Sequence, residues 1–218
     1  MDLTTSYNDV VPEGTRVRYH WRETRNAAAI MEATNPEQFG QLLHALDGFA
    51  VDVDRDIKEA GGNESSTAAV LNDGFRQQGW REGRFNLKIV STFERLPFGG
   101  EPSLAPVEAV VDSPSYLIDN VRGRVALDVE WHAKDGNLDR DIAAYRSIYE
   151  DTGLIDVAAM VTMHREEMHA WAREVLGEAT NKFKTSTTTN LTKAVPRLER
   201  GDGGGCPILL VAVGKNTV

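Results

Sequence analysis

The 218-residue chain predicts a layered fold of mixed strands and helices, and three observations carry that reading. Strand-like and helix-like segments intermix along the chain with no internal repeat. Its 41% hydrophobic and 26% charged residues suit an ordinary soluble globular protein long enough to bury one core. Two short apolar runs, Leu154–Met163 and Pro207–Val213, read as buried strands. Alone, this pattern fits either an α/β or an α+β arrangement.

Element by element, Thr15–Arg22 (TRVRYHWR) alternates like a strand, and Asn26–Thr34 reads as a short helix. Pro36 opens the next helix, which carries Phe39, Leu42, Leu43 and Leu46 at helical spacing. Serines in the loop Gly61–Ser66 can cap a helix over Thr67–Gln78, which Gly79 ends. Phe85–Phe93 reads as a strand, followed by the turn-rich LPFGGEPSLAP. Arg124–Trp131 alternates apolar and polar residues, the period of a half-buried strand. Leu138–Glu150 and His164–Leu176 look helical, and the threonine-rich Asn181–Arg200 reads as a long loop.

No apolar run approaches the roughly 20 residues needed to span a bilayer. The N-terminus lacks the basic and apolar segments of a signal peptide. The single cysteine, Cys206, excludes an internal disulfide framework. These features predict a cytoplasmic protein. A net charge of -9 argues against a polyanionic partner, but the charge is polarised. Residues 179–218 hold six basic and two acidic side chains, leaving 18 basic and 31 acidic residues in the first 178. Such a chain can hold a polyanion on one surface and cations on another.

Two motifs carry little. HREEMH places His164 and His169 five apart, about 140° around a helix, where the zinc-protease pattern requires four. GDGGGC (Gly201–Cys206) precedes a strand, whereas a phosphate-cradling loop follows one, so it reads as a turn. The informative feature is a triad of acids. Asp119 lies nine residues before Asp128, and Glu130 follows two later on the same face of its strand, roughly 6–7 Å from Asp128. Converging carboxylates hold a hard cation such as Mg²⁺. The third acid is then placed to orient or deprotonate a water. The alternative is a solvated strand face.

The order D-x8-D-V-E resembles the PD-(D/E)xK nuclease motif. VRGRVALDVEW is similar to the active-site strand of the BglII-like and BstYI-like type II restriction endonucleases. VLNDGFRQQGWREGRFN (Val70–Asn86), IDVAAMV, PILLVAVG and TRVRYHWR resemble further segments of that family in the same order. The resemblance covers most of the chain, least firmly around Leu96–Pro114. It implies an α/β fold with a central mixed sheet flanked by helices, formed by residues 1–218 as one catalytic domain.

The resemblance also implies roles. Asp119 and Asp128 match metal-binding acids, with the Val129 carbonyl as a further ligand. Glu130 stands where these enzymes carry glutamine, and most of the superfamily lysine. Glu82 falls near an upstream polar residue that completes the family's site. Asp128 is one methylene shorter than the usual glutamate. Lys134 resembles a lysine that approaches base edges. The basic, threonine-rich segment of about 181–200 falls where the family reads a groove. Its Lys182, Lys184, Ser186, Thr187, Thr188, Thr189, Asn190 and Lys193 are expected at DNA, the lysines on phosphates and the polar groups on bases.

The expected protein is thus a homodimeric, Mg²⁺-dependent nuclease (with Mn²⁺ as substitute) of a short palindrome in double-stranded DNA. The resemblance suggests a GATC-centred site cut to leave 5′-phosphates. A DNA-binding protein that has lost cleavage, and a metal-dependent hydrolase of small phosphoesters, are the alternatives.

Overall fold

Three runs without an exposed residue, Val125–Val129, Val157–Met163 and Ile208–Val213, lie side by side in parallel at the centre of a mixed sheet. A strand buried on both faces needs a covering layer on each, and helices supply both layers. The computed structural model describes residues 2–58, 65–112, 115–131, 133–184 and 188–217. The first half holds β1 (Leu3–Thr4), α1 (Tyr7–Val10), α2 (Glu13–Arg16), β2 (Tyr19–Thr24), α3 (Ala27–Thr34), α4 (Pro36–Gly48), α5 (Ser66–Gln77), β3 (Arg81–Phe85), β4 (Lys88–Phe93) and β5 (Val107–Asp112). The second holds β6 (Tyr116–Arg122), β7 (Val125–Val129), α6 (Asp135–Ser147), β8 (Val157–Met163), α7 (Arg165–Leu176), α8 (Leu191–Arg200) and β9 (Ile208–Val213).

Among the described residues, seven strands form the sheet in the order β1-β2-β9-β8-β7-β6-β3. β6 pairs with β7, and β2 with β9, in antiparallel fashion. One face carries Val125, Leu127 and Val129 into a core with Met31, Leu42, Leu71 and Phe75 from α3, α4 and α5. α6 covers the opposite face, where its Tyr145 reaches Asp128 and the Ala159 carbonyl of β8. The expected α/β arrangement, a mixed sheet flanked by helices, is therefore present.

The chain divides into two units. One comprises residues up to Gly83 and from Ile118 onward, and the other is Arg84–Leu117. The smaller unit contains β4 and β5, an antiparallel ribbon whose residues are all exposed. One ribbon face pairs Ile89 with Val111 and Phe93 with Val107, while the other pairs Lys88 with Asp112. No helix among the described residues is long and apolar enough to cross a membrane.

Four sequence expectations need correction. The run Thr15–Arg22 divides into the end of α2 and the start of β2, and Trp21 Nε1 folds back to bond the Arg16 carbonyl. Phe85–Phe93 breaks at Asn86–Leu87 into β3 and β4. Asn181–Arg200 is not loop throughout, because Leu191–Arg200 is helical. The Asn190 side chain caps that helix by accepting from the Lys193 amide. Leu191, Ala194 and Leu198 form its buried stripe, which the internal Pro196 disguised. Within Arg124–Trp131 every residue after Arg124 is buried, so the strand is buried on both faces, not half-buried, because α6 covers the side that bears its acids.

Candidate active site

The nine-residue spacing of Asp119 and Asp128 is a hairpin register. β6 and β7 pair Asn120 with Leu127 and Arg122 with Val125 around a turn at Gly123, whose φ of +57° favours glycine. One step outward, Asp119 and Asp128 stand across from each other. The Asp119 amide donates to Asp128 Oδ1 at 2.8 Å, and the Val129 amide donates to Asp119 Oδ2 at 3.2 Å. Each backbone amide thus orients the acid of the neighbouring strand. Asp128 Oδ2 accepts from the Tyr145 hydroxyl at 2.6 Å.

Glu130 lies on the same side, one pleat on, and is only 6% exposed. Its amide donates to the Val161 carbonyl at 2.8 Å, which continues the pairing of β7 with β8. Its own carbonyl accepts from Thr162 Oγ1 and from Thr189 Oγ1, at 3.0 and 3.1 Å. Its carboxyl meets that of Asp141 on α6. Glu130 Oε2 and Asp141 Oδ2 are both buried without a hydrogen-bond partner. Unpartnered buried polar atoms are costly, and a buried face of acids calls for shared protons or a cation.

The electrostatics follow. Burial, more than the charges of Asp119 and Asp141, pushes the Asp128 carboxyl well above its ordinary range. Burial first, and then Asp141, pushes Glu130 up to about 9. Asp141 is raised by burial, while the hydrogen bond from Glu130 and the Arg140 guanidinium, 3.0 Å away, pull it down. Both carboxyls are thus pushed toward the protonated form, and burial is the first cause for each. Desolvation, more than repulsion among the acids, is the larger cause of these shifts.

Asp141 and Tyr145 escaped the sequence reading. Both lie on the buried stripe of α6 with Leu138 and Ile142. An acid within such a stripe was the signal available. Asn72 of α5 was also missed, and its Oδ1 accepts from Asn120 Nδ2 at 2.7 Å, beside Asp119 in sequence. Glu82 is exposed on β3 and lines an open cleft with Asp73, Arg76, Gln77 and Arg81, a cleft that none of the three strand acids borders.

The segment expected to read a groove folds back against the chain that follows β7. Lys134 and Thr188 form an antiparallel bridge, and the Thr189 amide donates to the Ala133 carbonyl at 2.8 Å. This brings the segment directly beyond the end of β7. Thr189 and Asn190 are fully buried, with their side chains engaged by Glu130, Thr188 and Lys193. Lys134 and Lys184 are exposed, and Lys182 and Lys193 are half-buried. Ser186 and Thr187 lie outside the described residues, as does His132. Part of the basic excess of the C-terminal segment is paired internally. Arg197 binds both oxygens of Asp139, Arg200 binds Asp202, and Lys215 binds Glu174.

The arrangement fits a divalent cation. Asp119, Asp128 and the Val129 carbonyl are oxygen donors of the kind Mg²⁺ takes, and each carboxylate oxygen bonded here keeps a further lone pair. Residues 19–213 match the family model described as "Restriction endonuclease BglII/BglIII". No match to this chain is found among curated proteins.

Proposed function

Because the chain belongs to the BglII/BglIII restriction endonuclease family, we propose that it is a Mg²⁺-dependent type II endonuclease that cuts both strands of a short palindromic DNA site. The observation that carries the metal-dependent reading is the convergence of Asp119, Asp128, Glu130 and Asp141, with donor-free oxygens on the last two. A site-specific nuclease is what the family implies, and the rest of this reading rests on the acids and on symmetry.

Asp119 and Asp128 would hold the ion with the Val129 carbonyl, and Mn²⁺ offers an alternative with the same donors. When bound, such an ion lowers the pKa of a water and polarises a phosphodiester oxygen. Glu130 is the general base of the proposal once a bound cation has displaced its proton. A carboxyl whose proton affinity is pushed into the neutral-to-alkaline range accepts a proton more readily than an exposed glutamate does. Asp141 positions Glu130, and Tyr145 positions Asp128. Thr162 and Thr189 hold the Glu130 backbone, which couples the segment after Phe183 to the base.

A two-fold protein matches a two-fold DNA site, so the active form in this proposal is a homodimer. The GATC-centred target with 5′-phosphate ends, the action of the chain as one catalytic domain, and a cytoplasmic location belong to the same proposal. DNA contacts fall to Lys182, Lys184 and Lys193 on phosphates, with Lys134, Ser186, Thr187 and Thr188 assigned to bases.

The test is incubation of the purified protein with plasmid DNA and Mg²⁺, with the cut ends sequenced. Discrete fragments with a common end sequence support the reading. A retained gel shift without cutting would make the chain a DNA-binding protein that has lost cleavage. Turnover of a chromogenic phosphodiester without DNA cleavage would make it a small-substrate phosphoesterase.

A further inference from the structure

A second group of ligating side chains lies at the ends of β8 and β2, one and three strands from the β7 of Asp128. His20 on β2, His164 at the start of α7 and Glu167 in its first turn offer ligand atoms all within 4.8 Å of one another. The sequence already separated His164 from His169, whose spacing of five puts them about 140° apart around a helix. His169 Nδ1 instead lies 2.7 Å from the Lys182 carbonyl oxygen. The partner of His164 is the distant His20, with ring centroids 4.4 Å apart.

The group is built by backbone as well as side chains. The His164 amide donates to the Val213 carbonyl at 2.7 Å, fixing the start of α7 against the end of β9. The Lys215 amide donates to Glu167 Oε2 at 2.9 Å, which turns Oε1 toward His20 Nε2, also 2.9 Å away. Gly214 completes the arrangement. A Cβ there would lie 2.4 Å from Glu167 Oε2 and 2.8 Å from His20 Nε2, so any other residue would prise the cluster apart. The nearby cations are engaged elsewhere, Lys215 with Glu174 and Arg165 with Glu166. His164 Nδ1 accepts from the Glu167 amide at 3.4 Å, a contact weak enough for an ion to replace.

We propose that His20, His164 and Glu167 bind a transition-metal dication of the Zn²⁺ class. Two imidazoles and one carboxylate suit Zn²⁺, Co²⁺ or Ni²⁺ and not Mg²⁺, which takes oxygen donors. The three side chains are each about a third or less exposed (33%, 25% and 34%), which leaves the outer positions to water. An ion there fastens β2 to the start of α7, and because the unfolded chain has no such site, binding stabilises the fold. This site is independent of the acids on β6 and β7.

The experiment is a titration of the EDTA-treated full chain with Co²⁺ in millimolar Mg²⁺, which keeps the oxygen site occupied. Wild type is expected to take up one equivalent with visible d–d absorption. His20→Gln and Gly214→Ala should each weaken that uptake at least tenfold. Zn²⁺ should raise the melting temperature of wild type and leave that of His20→Gln unmoved. Circular dichroism identifies variants that fold, and Glu167→Gln replaces Gly214→Ala if the latter does not. Absence of the Co²⁺ bands and of a Zn²⁺ shift in wild type would overturn the proposal. So would equal uptake by folded variants, leaving His20 and Glu167 as an ordinary ion pair.

Discussion

Glu130 and Asp141 face each other between β7 and α6, with Glu130 Oε2 and Asp141 Oδ2 buried and without a partner. Glu130 comes from the strand that the sequence marks out, and Asp141 from the helix that follows it. Together they tie the stability of the protein to protons and cations.

The first prediction concerns pH. Glu130 is raised from 4.5 to about 9 in the folded chain, chiefly by burial. Between those values the folded state holds a proton that the unfolded state has released, so metal-free stability falls as pH rises through that window. Asp128, also raised, acts in the same direction. Mg²⁺ favours the ionised acids and must displace protons, so its stabilising effect should grow with pH. Melting temperatures across pH 5–9, with EDTA and with Mg²⁺, are expected to diverge as pH rises. Parallel curves would sink the assignment.

The second prediction addresses the metal-binding acids. Asp119→Asn and Asp128→Asn should abolish cleavage and leave specific DNA binding intact or tighter. Each removes a hard-cation ligand and a negative charge that repels phosphate. The measurement is single-turnover cleavage beside a gel shift in Ca²⁺. Cleavage at the wild-type rate in either variant would refute the site.

Tyr145 supplies a third prediction. Its hydroxyl is one of two donors to the Asp128 carboxylate. Tyr145→Phe keeps the ring in the core but leaves Asp128 Oδ2 short of a donor, at a cost of about 1–3 kcal/mol. We expect a lower melting temperature in EDTA, largely restored by Mg²⁺, and an altered Mg²⁺ concentration for half-maximal cleavage. Loss of stability that Mg²⁺ leaves untouched would make Tyr145 a core residue only.

Much of the fold and part of the site could be read in the sequence, for physical reasons. The spacing of Asp119 and Asp128 is set by a tight hairpin turn at Gly123, so it survives as a fixed number of residues. The apolar runs of β8 and β9 announce a sheet covered on both faces. Asp141, Tyr145 and Asn72 were hidden because they reach the site from helices, through packing that no local spacing encodes. Alternation along β7 suggested a wet face, but whether a helix covers that face is a tertiary fact. Threonines and Pro196 masked α8, whose stripe of Leu191, Ala194 and Leu198 is only three residues long.

A fourth prediction concerns the lysines. If Lys182, Lys184 and Lys193 meet phosphates, replacing each by alanine should weaken binding to all sequences alike. Each should also flatten the salt dependence by about one ion's worth. Lys184, which is exposed, should show the effect without loss of stability. Affinity measured against salt concentration decides, and three unchanged slopes would remove this segment from the DNA interface.

The last prediction returns to Glu130. Glu130→Gln installs the neutral amide that BglII-like enzymes are expected to carry at this position. It also removes the proton held near pH 9, so metal-free stability should become flatter across pH 5–9. Cleavage should be reduced but detectable, with a changed pH profile, because an amide can orient water without taking its proton. Glu130→Ala leaves Asp141 without its carboxyl partner and nothing to hold the water. Its cleavage should fall on the order of 10²–10⁴-fold, the range typical of general-base loss. Single-turnover rates for both variants across pH at saturating Mg²⁺ make the comparison. If Glu130→Ala cuts as fast as wild type while remaining folded, Glu130 is a buried structural acid, and the base must be sought elsewhere.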